Sequence, residues 1–135
     1  MHPNEKLLRD IDAAQVRQDM EGFFAGHTDD VVIHIGGKST LAGVYKGKDQ
    51  FQELFGKFME KTPDYTFESH AYFADDEHGI ILQRSHWARG NERLTSNDTF
   101  VCHFRDGKVS ELWIMSDDQY AVRSEERRVG KECRL

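Results

Sequence analysis

The spacing of apolar residues changes once along this chain, at Thr62-Pro63-Asp64, and that change bounds the fold. Before it, apolar residues recur mostly at helical spacing. After it they alternate, and residues 65–73, 80–88, 94–104 and 109–116 read as four strands. Asp75-Asp76-Glu77-His78-Gly79, Arg89-Gly90-Asn91-Glu92 and Asp106-Gly107 fall between them as turns, the last being a strong two-residue hairpin signal. Helices segregated from a run of strands predict an α+β domain, and the short turns predict antiparallel pairing of successive strands.

The first half supplies the helices. Residues 4–17 place Leu7, Leu8, Ile11 and Ala14 on one helical face, with Pro3 suited to the first turn. Asp19 can cap a short second helix carrying Met20, Phe23 and Phe24 and ending near Gly26. Residues 30–35, Asp-Val-Val-Ile-His-Ile, are too short and too β-branched for a helix and read as a strand, followed by the turn Gly36-Gly37-Lys38-Ser39. A third helix is expected over 49–60, with Asp49 as cap and a wide stripe of Phe51, Leu54, Phe55, Phe58 and Met59. That stripe suits a cavity wall, although core packing is its commoner use. A curved sheet folded over helices leaves a conical apolar interior, a natural place for a small molecule.

A length of 135 residues fits one domain with a real core. No apolar run approaches a membrane span, and the first residues lack the charged-then-apolar order of a signal peptide, so a cytoplasmic location is expected. The net charge of −6 argues against a nucleic-acid partner, which needs clustered Lys and Arg. Cys102 and Cys133 are too few for a disulfide framework or a thiolate zinc site, and Cys102 reads as a core residue. Residues 1–122 are therefore taken as the domain. Residues 123–135, RSEERRVGKECRL, break the apolar alternation and are set apart as a charged tail, disordered or not native to the protein. The tail, over residues 123–133, reads like an in-frame translation of a sequencing adapter, as in a gene assembled from environmental DNA. It holds five basic and three acidic residues, which leaves −8 on the rest.

Candidate chemistry lies on the strands. His34 sits between apolar neighbours on both faces and reads either as a general base near its natural pKa or as a hydrogen-bonded core histidine. Arg84 and His86 share a face with Ile80, Leu82 and Ala88, which reads as a polar spot in a pocket or as an outer, dimer-facing surface. Asp98 shares a face with Ser96, Phe100, Cys102 and Phe104. Buried there, its carboxyl would be raised by desolvation and serve as acid or base; the alternative is a solvated strand-edge residue paired with Arg84. Phe55, Phe100, Trp87 and Trp113 are candidate walls for a ligand, with core or interface packing as the plainer role for the tryptophans. Tyr45 and Tyr120 could offer hydroxyls, and Asp117 and Asp118 either end the last strand or take part in chemistry. His2, His27, His70, His78 and His103 read as surface, turn or cross-strand residues. No metal site or cofactor is expected, because no ligand spacing, phosphate loop or dinucleotide glycine pattern is present.

The element order, the segment VVIHIGG…LAGVYKG and the ending FRDGKVSELWIMSDDQY resemble the SnoaL-like branch of the NTF2-like superfamily over roughly residues 4–122. The resemblance implies a cone of curved antiparallel sheet wrapped over N-terminal helices around an apolar pocket, and a homodimer formed through the outer sheet face. The superfamily holds ketosteroid isomerases, polyketide cyclases, limonene epoxide hydrolases and non-catalytic binders, so the fold does not select an activity. Asp98 stands where the isomerases carry a protonated Asp, nine residues before the hairpin Gly107. The isomerase base falls at His34 or Ile35. The epoxide hydrolase Arg-x-Asp becomes Arg84-Ser85-His86, and its last-strand Asp falls near Met115, with Asp117 and Asp118 just beyond. The combined expectation is cofactor-independent acid/base chemistry on a small apolar molecule bearing a carbonyl or epoxide. His34 or Asp98 would carry the proton, with Arg84 and His86 polarising an oxygen. The alternative is a non-catalytic carrier of a hydrophobic small molecule.

Overall fold

A computed structural model of the protein describes residues 1–37, 40–89 and 91–117. Lys38, Ser39, Gly90, Asp118, Tyr120, Cys133 and the expected tail lie outside these. Three helices and six strands follow one another as α1 (Pro3–Val16), α2 (Met20–Ala25), β1 (His27–Ile35), β2 (Gly43–Lys46), α3 (Gly47–Lys61), β3 (Thr66–Ala74), β4 (His78–Arg89), β5 (Glu92–Arg105) and β6 (Lys108–Ser116). No described helix is long and apolar enough to cross a membrane.

The strands form one sheet in the order β2-β1-β6-β5-β4-β3. Strands β3 to β6 meander antiparallel, as the short turns require. Two features depart from the sequence reading. Residues 43–46 form β2, which hairpins back on β1 and pairs Ile33 with Tyr45; four residues carry too short an alternation to stand out. Strand β1 pairs with β6 in parallel, with Ile33 opposite Leu112, so the sheet is mixed rather than antiparallel. The physical reason is topological: α3 and the whole meander lie between β1 and β6, and only such a long connection can return a strand parallel to its neighbour.

The helices cover one face of the sheet. Helix α1 buries Leu8, Ile11, Asp12 and Ala14. Asp19 caps α2 by accepting from the Gly22 amide at 2.9 Å. Helix α3 begins before the expected Asp49 cap: Lys46 is its N-cap, and the side chain of Gln50 accepts from the Lys46 amide at 2.7 Å, leaving Asp49 in the first turn. The β5–β6 hairpin turns through Asp106 and Gly107, both at positive φ (55° and 74°), as its primed turn demands. Val31 and Ile33 of β1 are fully buried beneath the helices.

Gly79, near the start of β4, lets α1 and β5 close on the sheet. A Cβ there would stand 2.7 Å from Phe104 Cζ, 2.9 Å from Cys102 Sγ and 3.0 Å from Leu8 Cδ1. Gly79→Ala is expected to cost roughly 1–3 kcal/mol by overpacking. Equilibrium urea unfolding should then give a lower midpoint at an unchanged slope.

Candidate functional site

Between the helices and the concave face lies a cavity of about 250 Å³. Its walls are mostly apolar. Phe23, Phe51, Phe55 and Phe58 reach in from the helices, and Trp87, Phe100 and Ile114 from the sheet. Residues 36, 37, 40 and 41, between β1 and β2, line it as well.

The polar groups inside are organised by strand register. Gln83 pairs with Asp98 and Ser85 with Ser96 across the β4–β5 ladder, all four pointing inward. Ser85 Oγ donates to Asp98 Oδ2 at 2.5 Å, and Ser96 Oγ donates to Oδ1 at 2.9 Å. With its proton committed to Asp98, Ser85 accepts from the Tyr65 hydroxyl at 2.9 Å and from Gln83 Nε2 at 3.1 Å. Gln83 Nε2 also donates to the Tyr65 oxygen at 2.9 Å. Burial pushes the Asp98 carboxyl above its ordinary range, and the serine hydroxyls partly offset this by stabilising the ionised form.

A second carboxyl occupies the helix side. Asp12, 9% exposed, accepts from Ser69 Oγ and from the Tyr72 hydroxyl, each at 2.6 Å on Oδ2. Burial raises this carboxyl too, against the same kind of hydroxyl donation. In turn the Tyr72 hydroxyl is pushed up to about 12, chiefly by desolvation and then by its bond to Asp12. His27, 3% exposed, also lines the cavity. Its Nδ1 bonds the Phe23 carbonyl at 3.0 Å, and burial lowers its pKa to about 4, so the ring is neutral with the proton on Nδ1. The indole N–H of Trp87 is buried with no partner among the described residues. No group of three or more His, Cys, Asp or Glu among those residues is placed to hold a metal ion.

Of the residues singled out in the sequence, Asp98, Phe55, Phe100 and Trp87 line the cavity. The other three catalytic candidates face away from it. His34 lies on the outer sheet face, stacked on Trp113 with ring centroids 4.8 Å apart, and its Nε2 meets Glu111 Oε2 at 2.6 Å. His86 bonds Glu68 at 2.8 Å and Thr95 at 3.1 Å, and Arg84 donates to Asn97 at 3.2 Å. The reading that grouped His34, Arg84 and His86 with Asp98 is thus corrected by the pleat: Val31 and Ile33 take the inner face of β1, and Ile81, Gln83, Ser85 and Trp87 that of β4. Asp98 has serines, not Arg84, as partners. Trp113 stays with His34 on the outer face, and the Tyr45 hydroxyl donates to the Leu41 carbonyl at 2.7 Å while its ring packs on the core. Asp117 ends the last strand by accepting from the Asn97 amide at 2.8 Å and side chain at 2.9 Å, which holds its carboxyl below the ordinary range.

Asp12, His27, Tyr65, Gln83 and Ser85 line the cavity as well, although the sequence pattern does not single them out. Asp12 had a signal, because it falls at helical spacing with Leu8, Ile11 and Gln15, all of which line the cavity. His27 had none, since it lies ahead of the apolar run that marks its strand.

Asp98→Asn tests the buried carboxyl without a substrate. A carboxyl whose folded pKa is raised contributes stability in full below its unfolded value of about 4, and loses that contribution as pH rises through the folded value. The unfolding free energy of Asp98→Asn relative to wild type should therefore be greatest at neutral pH and fall as pH drops toward 4, with a slope of at most about 1.4 kcal/mol per pH unit. A pH-independent difference would mean that Asp98 titrates alike folded and unfolded.

A model of the SnoaL-like domain matches residues 8–112. Among solved structures, Bal32a from a soil-derived mobile gene cassette is 25% identical with a TM-score of 0.85, covering 93% of this chain and 97% of that one. An NTF2-like protein from Burkholderia xenovorans LB400 is 21% identical with a TM-score of 0.73, over 89% and 92%. TerC, co-crystallised with polyporic acid, is 18% identical with a TM-score of 0.81, over 92% and 98%. A search of curated proteins gives no match.

Proposed function

This chain belongs to the SnoaL-like domain family, and on that footing we propose that its cavity binds a small, largely apolar molecule on which Asp98 moves a proton. One observation carries the reading: a buried carboxyl, raised by desolvation and oriented by two serine hydroxyls, inside an otherwise apolar cavity. The chemistry is cofactor-independent acid/base catalysis on a carbonyl- or epoxide-bearing compound, of the isomerase, cyclase or hydrolase type. As a carboxylate, Asp98 removes a proton from a carbon next to a carbonyl. As a carboxylic acid, it gives one to a carbonyl or epoxide oxygen. Ser85 and Ser96 fix the orientation of the carboxyl, and Tyr65 and Gln83 fix Ser85. The unpartnered Trp87 N–H is a donor in want of an acceptor, a role that a small ring movement would let a ligand oxygen fill. The co-crystallisation of TerC with polyporic acid is consistent with a small-molecule ligand in this fold.

A second reading, a non-catalytic carrier, is favoured by the outward placement of His34, Arg84 and His86. Their loss leaves the cavity without the imidazole and guanidinium partners expected to polarise an oxygen.

A panel of isomerase, cyclase and epoxide hydrolase substrates separates the two. With a turned-over compound in hand, Asp98→Asn should lower kcat by about 10²- to 10⁴-fold. His34→Ala and His86→Ala should leave kcat nearly unchanged. Retained turnover in Asp98→Asn removes Asp98 from the proton transfer, and recovery of bound compounds chemically unchanged supports the carrier.

A further inference from the structure

The cavity holds two buried carboxyls and one imidazole with open acceptor positions, beside two open donors, the Trp87 N–H and the Ser116 hydroxyl. Asp12 takes both of its hydrogen bonds on Oδ2, and its Oδ1 has no partner among the described residues. Asp98 receives one hydroxyl on each oxygen, which leaves lone pairs on both. His27 is 3% exposed and donates Nδ1–H to a carbonyl, so its Nε2 is a lone-pair acceptor, again without a partner among the described residues. Against these stands one lining cation, Lys61, whose ammonium is an exposed group bound to Thr40 Oγ1 at 2.9 Å. Neither carboxylate has a basic side chain bonded to it. Two buried carboxyls held by hydroxyl donors alone, with no counter-charge, form a site that a bound cation would stabilise in the ionised form. The walls around them are aromatic, the surface on which a cation is most at home in an apolar site. The whole chain carries −6, which favours approach of a cation over an anion.

We infer that the ligand of this cavity carries a protonated amine on an aromatic body, with the ammonium facing the carboxylates of Asp12 and Asp98 and the rings against the phenylalanine and tryptophan walls. The inference rests on the proposed small-molecule function and narrows its substrate class. His27 Nε2 takes a second donor, a ring N–H or O–H, at the far end of the ligand. The register sets that spacing: His27 pairs with Val109 at one end of β6 and Asp98 with Ser116 at the other, backbone positions roughly 20 Å apart before side chains reach inward.

Three probes with one ring system and one donor test this: tryptamine, tryptophol and indole-3-propionate, titrated calorimetrically into the full chain at pH 7 and low salt. Tryptamine is expected to bind about 10- to 100-fold more tightly than tryptophol, the range for a hydrogen bond to a charged group, and indole-3-propionate most weakly. Asp12→Asn and Asp98→Asn should each shrink the tryptamine-to-tryptophol ratio, because the amine loses more than the alcohol; either variant suffices if the other fails to fold. His34→Ala, on the outer face, should leave the ratio alone. Equal affinity of amine and alcohol, or a ratio untouched by both Asn variants, overturns the amine inference while the cavity remains a small-molecule site. If none of the three binds, both the inference and the open-cavity reading fall.

Discussion

Register between β4 and β5 governs what this protein offers a ligand. With Gln83 opposite Asp98 and Ser85 opposite Ser96, four polar side chains meet beneath the helices. Residues along a strand alternate faces, so sliding β4 by one residue would carry Gln83, Ser85 and Trp87 to solvent and bring Arg84 and His86 inside. The hydrogen bonds themselves oppose that slip. Ser85 bonds Asp98 across the ladder on the inner face, while Arg84 bonds Asn97 across the same ladder on the outer one. The two faces therefore agree on one alignment, and the cavity inherits its polarity from it.

The cost of burying two carboxyls is met differently from the usual ion pair. Asp12 and Asp98 each receive two hydroxyl protons, from Ser69 and Tyr72 and from Ser85 and Ser96. Hydroxyl donors stabilise the anion without cancelling its charge, and each carboxyl stays raised because desolvation outweighs them. An arginine in place of those hydroxyls would neutralise the site and hold the carboxyl ionised. Serines and a tyrosine keep it oriented yet able to change protonation state, which is what acid/base work or capture of a cation requires. Tyr65 and Gln83 extend this arrangement, since the Tyr65 oxygen bonds both Ser85 and Gln83 and ties the polar patch to β3.

The fold was more legible than the site, for a physical reason. Alternation and turn residues located β3 to β6 within a few positions, and Asp19 and Asp106-Gly107 marked a cap and a hairpin correctly. Alternation defines two faces without saying which is inner. On β4 the face holding Ile80, Leu82, Arg84 and His86 is as apolar in sequence as the one holding Ile81, Gln83, Ser85 and Trp87, which leaves pocket and outer surface equally open for Arg84 and His86; the fold puts them outside. His34 shows the same ambiguity, because Val32 beside it on the outer face is as apolar as Val31 on the inner. Asp98 was recoverable because its face also carries Phe100 and Cys102, which few outer surfaces would. The parallel β1–β6 contact and β2 were not legible, since pairing across the length of the chain leaves no local trace.

What keeps the cavity from collapsing is the packing of aromatic rings at its inner end. Phe23 and Phe24 of α2 meet Phe51 and Phe55 of α3 at centroid separations of 5.2 to 6.1 Å, both Phe24 pairs edge to face, with the His27 ring 5.0 Å from Phe51. Flat, rigid side chains have few rotamers, so a cluster of them sets the distance between two helices more firmly than aliphatic chains could. The His27 bond to the Phe23 carbonyl fastens the start of β1 to the end of α2 at the same point. One residue thus braces the helical wall and, through its other nitrogen, offers an acceptor to the space that the wall encloses, which ties the shape of the cavity to its choice of ligand.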